Sequence, residues 1–405
     1  MVRSVVRLRT DYRSREFLRV NVSRLRHVRG GALLAIATVV LAAHPCTASA
    51  QVSAARAAEL FARGVSLEAR GHHTEALALF WEAAALAPGD ADIQNGLGQS
   101  LARLGALDPA VEAFSRALSV RPAFRKAANN LILTLVKAGR GPEALRRAET
   151  LVASAPGDAH ALFTLGLAQA EQDVAAALES FRRALRIDPS HTLSRYNLAL
   201  VLKRADRAPE AVDHLMRIIR TEPRAEAHYT LGVIYWQQGE LDRAAASLRA
   251  AVSADPGSAD AHDTLGAVLK DQGDWAGAVD ALRRAIALRP DGAGAHYTLG
   301  RVLQLAGEDA AARAHLADAE RLRQRAQREQ EASVWTSVGT QRLDSGDPVT
   351  ALDHFRRATS LFDEHAPAHY QAGRALQRLG DHDASRAAFA RAQQLNPSLV
   401  PPGEP

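Results

Sequence analysis

Apolar residues recur along most of the chain at the spacing of an amphipathic helix, and they do so in pairs of short segments. In one representative stretch, Leu231, Ile234 and Tyr235 form one apolar stripe, and a second stripe follows through Ala244 and Leu248. Apolar positions three and four residues apart lie on one face of an α-helix. The pattern therefore predicts pairs of short helices joined by a turn.

These pairs repeat with a period of about 34 residues, which gives ten copies over residues 57–399. A small residue in the first helix marks each copy: Gly64, Gly98, Gly166, Gly232, Gly266, Gly300, Gly339 and Gly373, with Ile132 and Ala199 in the two remaining copies. Twelve residues later comes alanine in most copies, then a bulky apolar residue, then a closing proline. Small residues let two helices approach closely, and proline stops a helix from continuing. One helical pair cannot cover its apolar stripe, so neighbouring pairs must stack.

This signature of glycine, alanine, a bulky apolar residue and proline resembles that of the tetratricopeptide repeat family. The resemblance implies an all-α fold, a right-handed superhelical solenoid of about ten helix-turn-helix repeats. We predict repeats one to eight over 57–331, repeats nine and ten over 332–399, and a short tail over 400–405. The eighth copy lacks its closing proline, so its second helix is predicted to extend through residues 322–329.

Residues 1–50 form an Arg-rich segment with an apolar run at 32–43, followed by Ala48-Ser49-Ala50. Twelve apolar residues make a helix of about 18 Å, too short for a hydrocarbon core of about 30 Å. We interpret the segment as a secretory signal cleaved to leave Gln51 first, which predicts a periplasmic or secreted protein. The alternative is an uncleaved anchor in the inner membrane.

Charge and cysteine content exclude several functions. The chain has 50 basic and 45 acidic residues, but nine of the arginines lie in the first 50 residues. From residue 51 onward 41 basic residues face 43 acidic ones, so we expect no nucleic-acid partner. The only cysteine is Cys46, which excludes disulfides and zinc–thiolate sites from the remaining chain.

No set of titratable residues is predicted to converge in one catalytic cleft, so we expect no enzyme activity, no cofactor and no small-molecule substrate. Histidines recur four residues before the glycine, at His228, His262, His296 and His369. Each lies in a different copy, and helices are 8–10 Å apart, so these rings cannot share one metal ion. We interpret them as packing residues and expect no metal site.

The resemblance also implies that first helices line a concave groove, where two columns stand out. Positions three before the glycine (the minus-three column) are aromatic in six copies of ten, and positions two before it (the minus-two column) are mostly polar. Aromatic anchors and hydrogen-bonding groups suit an extended peptide. The predicted partner-binding residues are Phe61, Asn95, Asn129, Asn130, Phe163, Thr164, Tyr196, Asn197, Tyr229, Thr230, Asp263, Thr264, Tyr297, Thr298 and Tyr370. An equally weighted interpretation is that both columns merely follow the repeat consensus.

The leading functional hypothesis is an exported, non-catalytic scaffold that binds peptide segments of other proteins in this groove. One alternative is a structural subunit of a secretion, pilus or polysaccharide-export assembly. Pro401-Pro402 follows the last copy with no capping helix, which predicts self-association through uncapped ends. A second alternative is the repeat part of a glycosyltransferase-like enzyme, although only residues 399–405 follow the repeats.

Overall fold

The structure, a computed structural model, describes residues 44–396 and residue 399, and within them every regular element is an α-helix. The helices are α1 His44–Ala69, α2 His73–Leu86, α3 Ala91–Arg103, α4 Leu107–Val120, α5 Arg125–Lys137, α6 Gly141–Ser154, α7 Ala159–Gln169, α8 Val174–Ile187, α9 Thr192–Arg204, α10 Ala208–Thr221, α11 Ala225–Gln237, α12 Leu241–Ala254, α13 Ala259–Gln272, α14 Trp275–Leu288, α15 Ala293–Leu305, α16 Asp309–Asp344, α17 Pro348–Leu361, α18 Ala366–Arg378 and α19 His382–Leu395. The predicted all-α solenoid of helical hairpins is confirmed.

The chain divides into two units, Met1–Arg56 and Ala57–Pro405, and the repeats occupy the second. The predicted cleavage point after Ala50 lies within α1, and the apolar run at 32–43 lies outside the described residues. None of the helices among the described residues is long and apolar enough to cross a membrane.

Each hairpin is held together by a close approach of its two helices at the repeat glycine. In the fourth copy, a Cβ added to Gly166 would lie 2.6 Å from Cε1 of Phe181, a ring that is fully buried. The turn between the two helices commonly uses a glycine with positive φ, as at Gly239 (77°), a backbone conformation that other residues adopt at a cost. The glycine and bulky positions read from the sequence are therefore the contact points of the hairpin.

First helices contact one another across successive copies, from α3 through α15 and again between the C-terminal half of α16 and α18. Their shared face is the side on which the hairpins lie closest together. We call it the first-helix face, and it carries both columns.

The eighth and ninth copies share one helix, because α16 contains the second helix of the eighth and the first helix of the ninth. At 36 residues it is about 54 Å long. Its sequence has no proline, and its only glycine is Gly339, so nothing interrupts it where other copies have a loop. The predicted extension over 322–329 lies in its middle, and the predicted boundary between 331 and 332 also falls inside it.

The middle of α16 carries no core. Residues 320–331 are exposed except Leu322, which is half-buried. The core that contains Phe163 ends at Ala312, and a separate cluster begins around Leu343. Ion pairs one turn apart, such as Arg323 with Glu320 at 2.7 Å, support this solvated segment. The continuous stack of hairpins is therefore interrupted after the eighth copy.

Candidate protein-binding face

The predicted partner-binding residues all lie on first helices, but the structure divides them by exposure. Buried members, which a partner cannot touch directly, are Asn95, Asn129, Phe163, Thr164, Asn197 and Thr230. Half-buried members are Phe61, Asn130, Tyr196, Tyr229, Asp263, Thr264, Thr298 and Tyr370. Tyr297 is exposed, with 58% of its surface accessible. Most of the accessible positions therefore lie from the fifth copy onward.

Many of the polar groups in the two columns bond to each other across the copies. Asn130 Nδ2 donates to Asn95 Oδ1 at 2.9 Å, and Thr164 Oγ1 donates to Asn129 Oδ1 at 2.9 Å. In each case a minus-three residue of one copy meets the minus-two residue of the next. Because these hydrogen bonds satisfy buried polar groups, this part of each column joins neighbouring hairpins.

The same junction recurs with tyrosine in later copies. The hydroxyl oxygens of Tyr196 and Thr230 are 3.1 Å apart, and Thr264 Oγ1 donates to the Tyr229 hydroxyl at 3.4 Å. Burial raises the pKa of Tyr196 above its ordinary value, so its hydroxyl stays protonated and able to donate. Both tyrosine rings remain half-exposed on the first-helix face. Tyr196 and Tyr229 can therefore hydrogen-bond to the next copy through their hydroxyls and, at the same time, present aromatic surface to a partner.

An accessible acidic group lies between two of these tyrosines in the sixth to eighth copies. Tyr229, Asp263 and Tyr297 occupy the minus-three position on α11, α13 and α15, three first helices in contact in series. Burial raises the pKa of the Asp263 carboxyl, and the neighbouring Asp260 raises it further, while Arg289 acts in the opposite direction. A half-buried carboxylate of this kind is favoured by an added positive charge. We call these three residues the Tyr–Asp–Tyr site.

Tyr297 is exposed for an architectural reason. The minus-two residue that would follow it is Ser337, which lies on α16 beyond the solvated segment. Within the described part of the chain, Tyr297 therefore makes no hydrogen bond to the next copy of the kind that Tyr196 and Tyr229 make, and its ring faces solvent. The interruption of the stack thus creates the most accessible aromatic group of the columns.

The histidine column lies on four separate first helices, α11, α13, α15 and α18. Two of its side chains bond to the loop that precedes the helix: His369 Nε2 donates to the Asp363 carbonyl at 2.8 Å, and His296 Nε2 to the Pro290 carbonyl at 3.2 Å, whereas the buried Nε2 of His262 has no hydrogen-bond partner among the described residues. Two further residues that the sequence did not single out lie across one hairpin from this column. His315 and Asp318, on the second helix of the eighth copy, lie beside His296. The spacing of 19 residues between His296 and His315 is the signal that could have found them.

The repeat frame also matches a known family. The family model described as "Tetratricopeptide repeat" matches residues 61–128, 129–192, 196–259 and 339–399, and the model described as "TPR repeat" matches residues 266–307. The chain belongs to the tetratricopeptide repeat family. Tetratricopeptide repeats (TPRs) serve in general as protein-interaction scaffolds, so the first-helix face of this TPR protein is a candidate protein-binding surface.

Two curated relatives resemble parts of this TPR chain. Anaphase-promoting complex subunit 3 of Dictyostelium discoideum is 34% identical over 80 residues, which cover 20% of this chain and 8% of the relative. Protein O-mannosyl-transferase TMTC3 of Homo sapiens is 28% identical over 162 residues, 38% of this chain and 17% of the relative. The matched regions thus span less than a fifth of either relative.

Two solved structures are similar as well. MamA from Desulfovibrio magneticus is 28% identical, with 41% of this chain and 95% of that chain covered and a TM-score of 0.36. A tetratricopeptide repeat protein from Parabacteroides merdae is 19% identical, with 61% and 99% covered and a TM-score of 0.49.

Proposed function

We propose that this TPR chain is an exported, non-catalytic scaffold that binds extended segments of partner proteins along its first-helix face. The observation that carries the proposal is the accessible Tyr–Asp–Tyr site on three successive first helices. Tyr297 has 58% of its surface exposed, and Asp263 and Tyr229 are half-buried on the two preceding first helices. Aromatic side chains with a polar end are common binding anchors at protein interfaces.

The chemistry of this site favours a partner segment with a lysine or arginine. Desolvation raises the pKa of Asp263, which means that its unpaired charge is disfavoured, and an incoming cation would compensate it. The exposed ring of Tyr297, on the adjacent first helix, would attract the same cation through its π-system, whereas Tyr229 lies two first helices from Tyr297 and would contact another part of the segment. We therefore expect one basic side chain of the partner segment to determine specificity, and the rest of the segment to bind through shape complementarity with the first-helix face.

Export is proposed on the N-terminal sequence alone, with its Arg-rich start, apolar run and Ala48-Ser49-Ala50. N-terminal sequencing of the protein recovered from cells tests it. A first residue of Gln51 is the expected result, and an intact N-terminus on protein in the cytosolic fraction would contradict it.

A scaffold without catalysis is favoured over an enzyme because the architecture repeats one hairpin, and among the described residues we find no set of catalytic groups on the first-helix face. The relative named as an O-mannosyl-transferase matches over only 17% of its own length. The chain is therefore proposed to share with it a repeat region and not its reaction.

Peptide selection tests the binding proposal directly. A random peptide library panned on the chain should yield peptides enriched in lysine or arginine, and fluorescence anisotropy then gives their affinities. Asp263→Asn and Tyr297→Ala should each weaken binding by at least about 1 kcal/mol, roughly fivefold, as truncation of an interface anchor does. Glu112→Gln is the matched control, because Glu112 lies exposed on α4, a second helix. Equal affinities for all four proteins would refute a role for the Tyr–Asp–Tyr site.

A further inference from the structure

The hairpin of the eighth copy, which immediately precedes the solvated segment, brings together three groups that can bind a metal ion. His296, on α15, is buried, and His315 and Asp318 lie half-buried one turn apart on α16. The two Nδ1 atoms are 3.2 Å apart, and His296 Nδ1 is 3.9 Å from Asp318 Oδ2. All three atoms lie within 4.8 Å of one another.

The hydrogen bonds of His296 fix which of its nitrogens can bind a metal. Its Nε2 lies 3.2 Å from the Pro290 carbonyl oxygen, which can only accept, so Nε2 carries the proton. Its Nδ1 then carries the lone pair, which faces His315 Nδ1 at 3.2 Å and accepts a hydrogen bond from it in the absence of a metal ion. A metal-bound histidine characteristically donates its other ring N–H to a backbone carbonyl or carboxylate in this way.

The separations fit a small divalent ion. Four ligands at about 2.0–2.2 Å in a tetrahedron lie roughly 3.3–3.5 Å from one another. The distance of 3.2 Å between the histidine nitrogens already matches, and 3.9 Å to Asp318 requires only a small side-chain movement. Arg321 holds the other Asp318 oxygen, Oδ1, at 2.6 Å and leaves Oδ2 to face the histidines.

The charges around the cluster are mixed. A metal-bound histidine is a neutral imidazole, so His296 and His315 would add no charge of their own to the site. Asp318 supplies the compensating negative charge, and the exposed Arg321 opposes it. A bound cation would therefore rely on the two nitrogens and one carboxylate oxygen.

The repeat frame explains why these groups meet. In the ninth copy the equivalent positions are Trp335 and His354, whose rings stack with centroids 5.4 Å apart. The frame thus places these two positions in contact in both the eighth and the ninth copies. In the eighth copy both carry imidazole, and the turn after His315 adds a carboxylate.

We propose that His296, His315 and Asp318 bind one divalent transition-metal ion, with Zn²⁺ the best candidate. Imidazole and carboxylate ligands suit zinc and its neighbours in the first transition series, whereas magnesium and calcium prefer oxygen ligands alone. The ion holds the start of α16 against α15, at the hairpin that precedes the solvated segment. Three protein ligands leave a fourth position open to water or to a side chain of a partner.

Titration of the full-length, metal-stripped protein with Zn²⁺ by calorimetry, in the presence of a competing chelator, tests the proposal. The expected result is one site per chain whose affinity falls more than about tenfold in His315→Asn and in Asp318→Asn, since loss of even an outer-shell partner costs 10–100-fold. Mg²⁺ should not compete. Bound Co²⁺ should give the visible absorption of a tetrahedral centre in the unmodified protein and lose it in His315→Asn and Asp318→Asn.

The chain has 15 histidines, so the control must separate this site from chance binding. His354→Asn removes the positional equivalent of His315, next to Trp335, and should keep the original affinity and stoichiometry. Circular dichroism shows whether each variant keeps its helices. The proposal is overturned by an absence of Zn²⁺ binding, by unchanged affinity in folded His315→Asn and Asp318→Asn, or by an equal loss in His354→Asn.

Discussion

Replacement of Gly166 by alanine tests whether the hairpins are held at the distance that the structure shows. The new Cβ would lie 2.6, 2.8 and 2.9 Å from three ring atoms of Phe181, whereas ordinary carbon contacts are about 3.5–4.0 Å. The Phe181 ring is fully buried and also packs against the Phe163 ring, with centroids 6.2 Å apart. It has to move by about 1 Å, and overpacking of this kind costs about 1–3 kcal/mol.

Alanine also favours helix over glycine by up to about 1 kcal/mol, and a second variant removes this contribution from the comparison. Gly294→Ala changes another helical glycine, but its Cβ would meet nothing closer than Asp263 Oδ2 at 3.6 Å, an ordinary contact. The free energy of local opening should therefore differ between the two variants by about 1–3 kcal/mol. This difference corresponds to a ratio of roughly 5 to 150 in exchange rate.

Amide hydrogen exchange read by mass spectrometry is the suitable assay, because stability in a stacked array is local. Peptides from α7 and α8 should lose protection in Gly166→Ala, and peptides from α15 should keep or gain it in Gly294→Ala. Equal gains in protection for both variants would refute the close approach at Gly166.

Two further predictions concern the first-helix face. Thr164→Val removes a hydrogen bond of 2.9 Å to the buried Asn129, so it should lower the free energy of unfolding, measured by urea denaturation, by about 1–3 kcal/mol. Thr298→Val loses only a hydrogen bond within its own helix and should change the free energy of unfolding by less than about 0.5 kcal/mol. Burial lowers the pKa of His160, and so does the nearby His191, so the unfolded chain binds a proton at a higher pH than the folded chain does. The stability that depends on neutral His160 should be complete above about pH 6.5 and fall below it, and this fall should be less steep in His160→Gln. An identical pH profile of the urea midpoint in the two proteins would contradict this cause.

The sequence predicts the hairpin frame well because the residues that set it are local and repeat. Gly98 and Phe114 stand in register with other copies, and their contact follows from the spacing alone. The length of α16 is harder to predict from the sequence, because the missing proline predicts an extended helix but does not predict that this helix joins the first helix of the next copy. That outcome depends on how strongly residues 320–331 favour helix without a core.

The candidate site is only partly predictable for a different reason. The positions of the two columns follow from the sequence, but the exposure of each side chain depends on which residue of the next copy packs against it. Asn129 is buried by its hydrogen bond to Thr164, whereas Tyr297 is exposed because the stack is interrupted after it. The meeting of His296 with His315 requires the packing of one helix on the other. Whether the predicted residues bind a partner stays a prediction.

Site-specific photo-cross-linking in living cells tests the central claim, that partner proteins bind along the first-helix face, most directly. A photoreactive residue at position 297 replaces the exposed tyrosine on α15, and one at position 112 replaces the exposed Glu112 on α4. We predict discrete cross-linked protein bands from position 297 that weaken when Asp263 is changed to asparagine, and no such bands from position 112. Bands of equal pattern from both positions, or bands that arise only from positions on α19, would contradict the account.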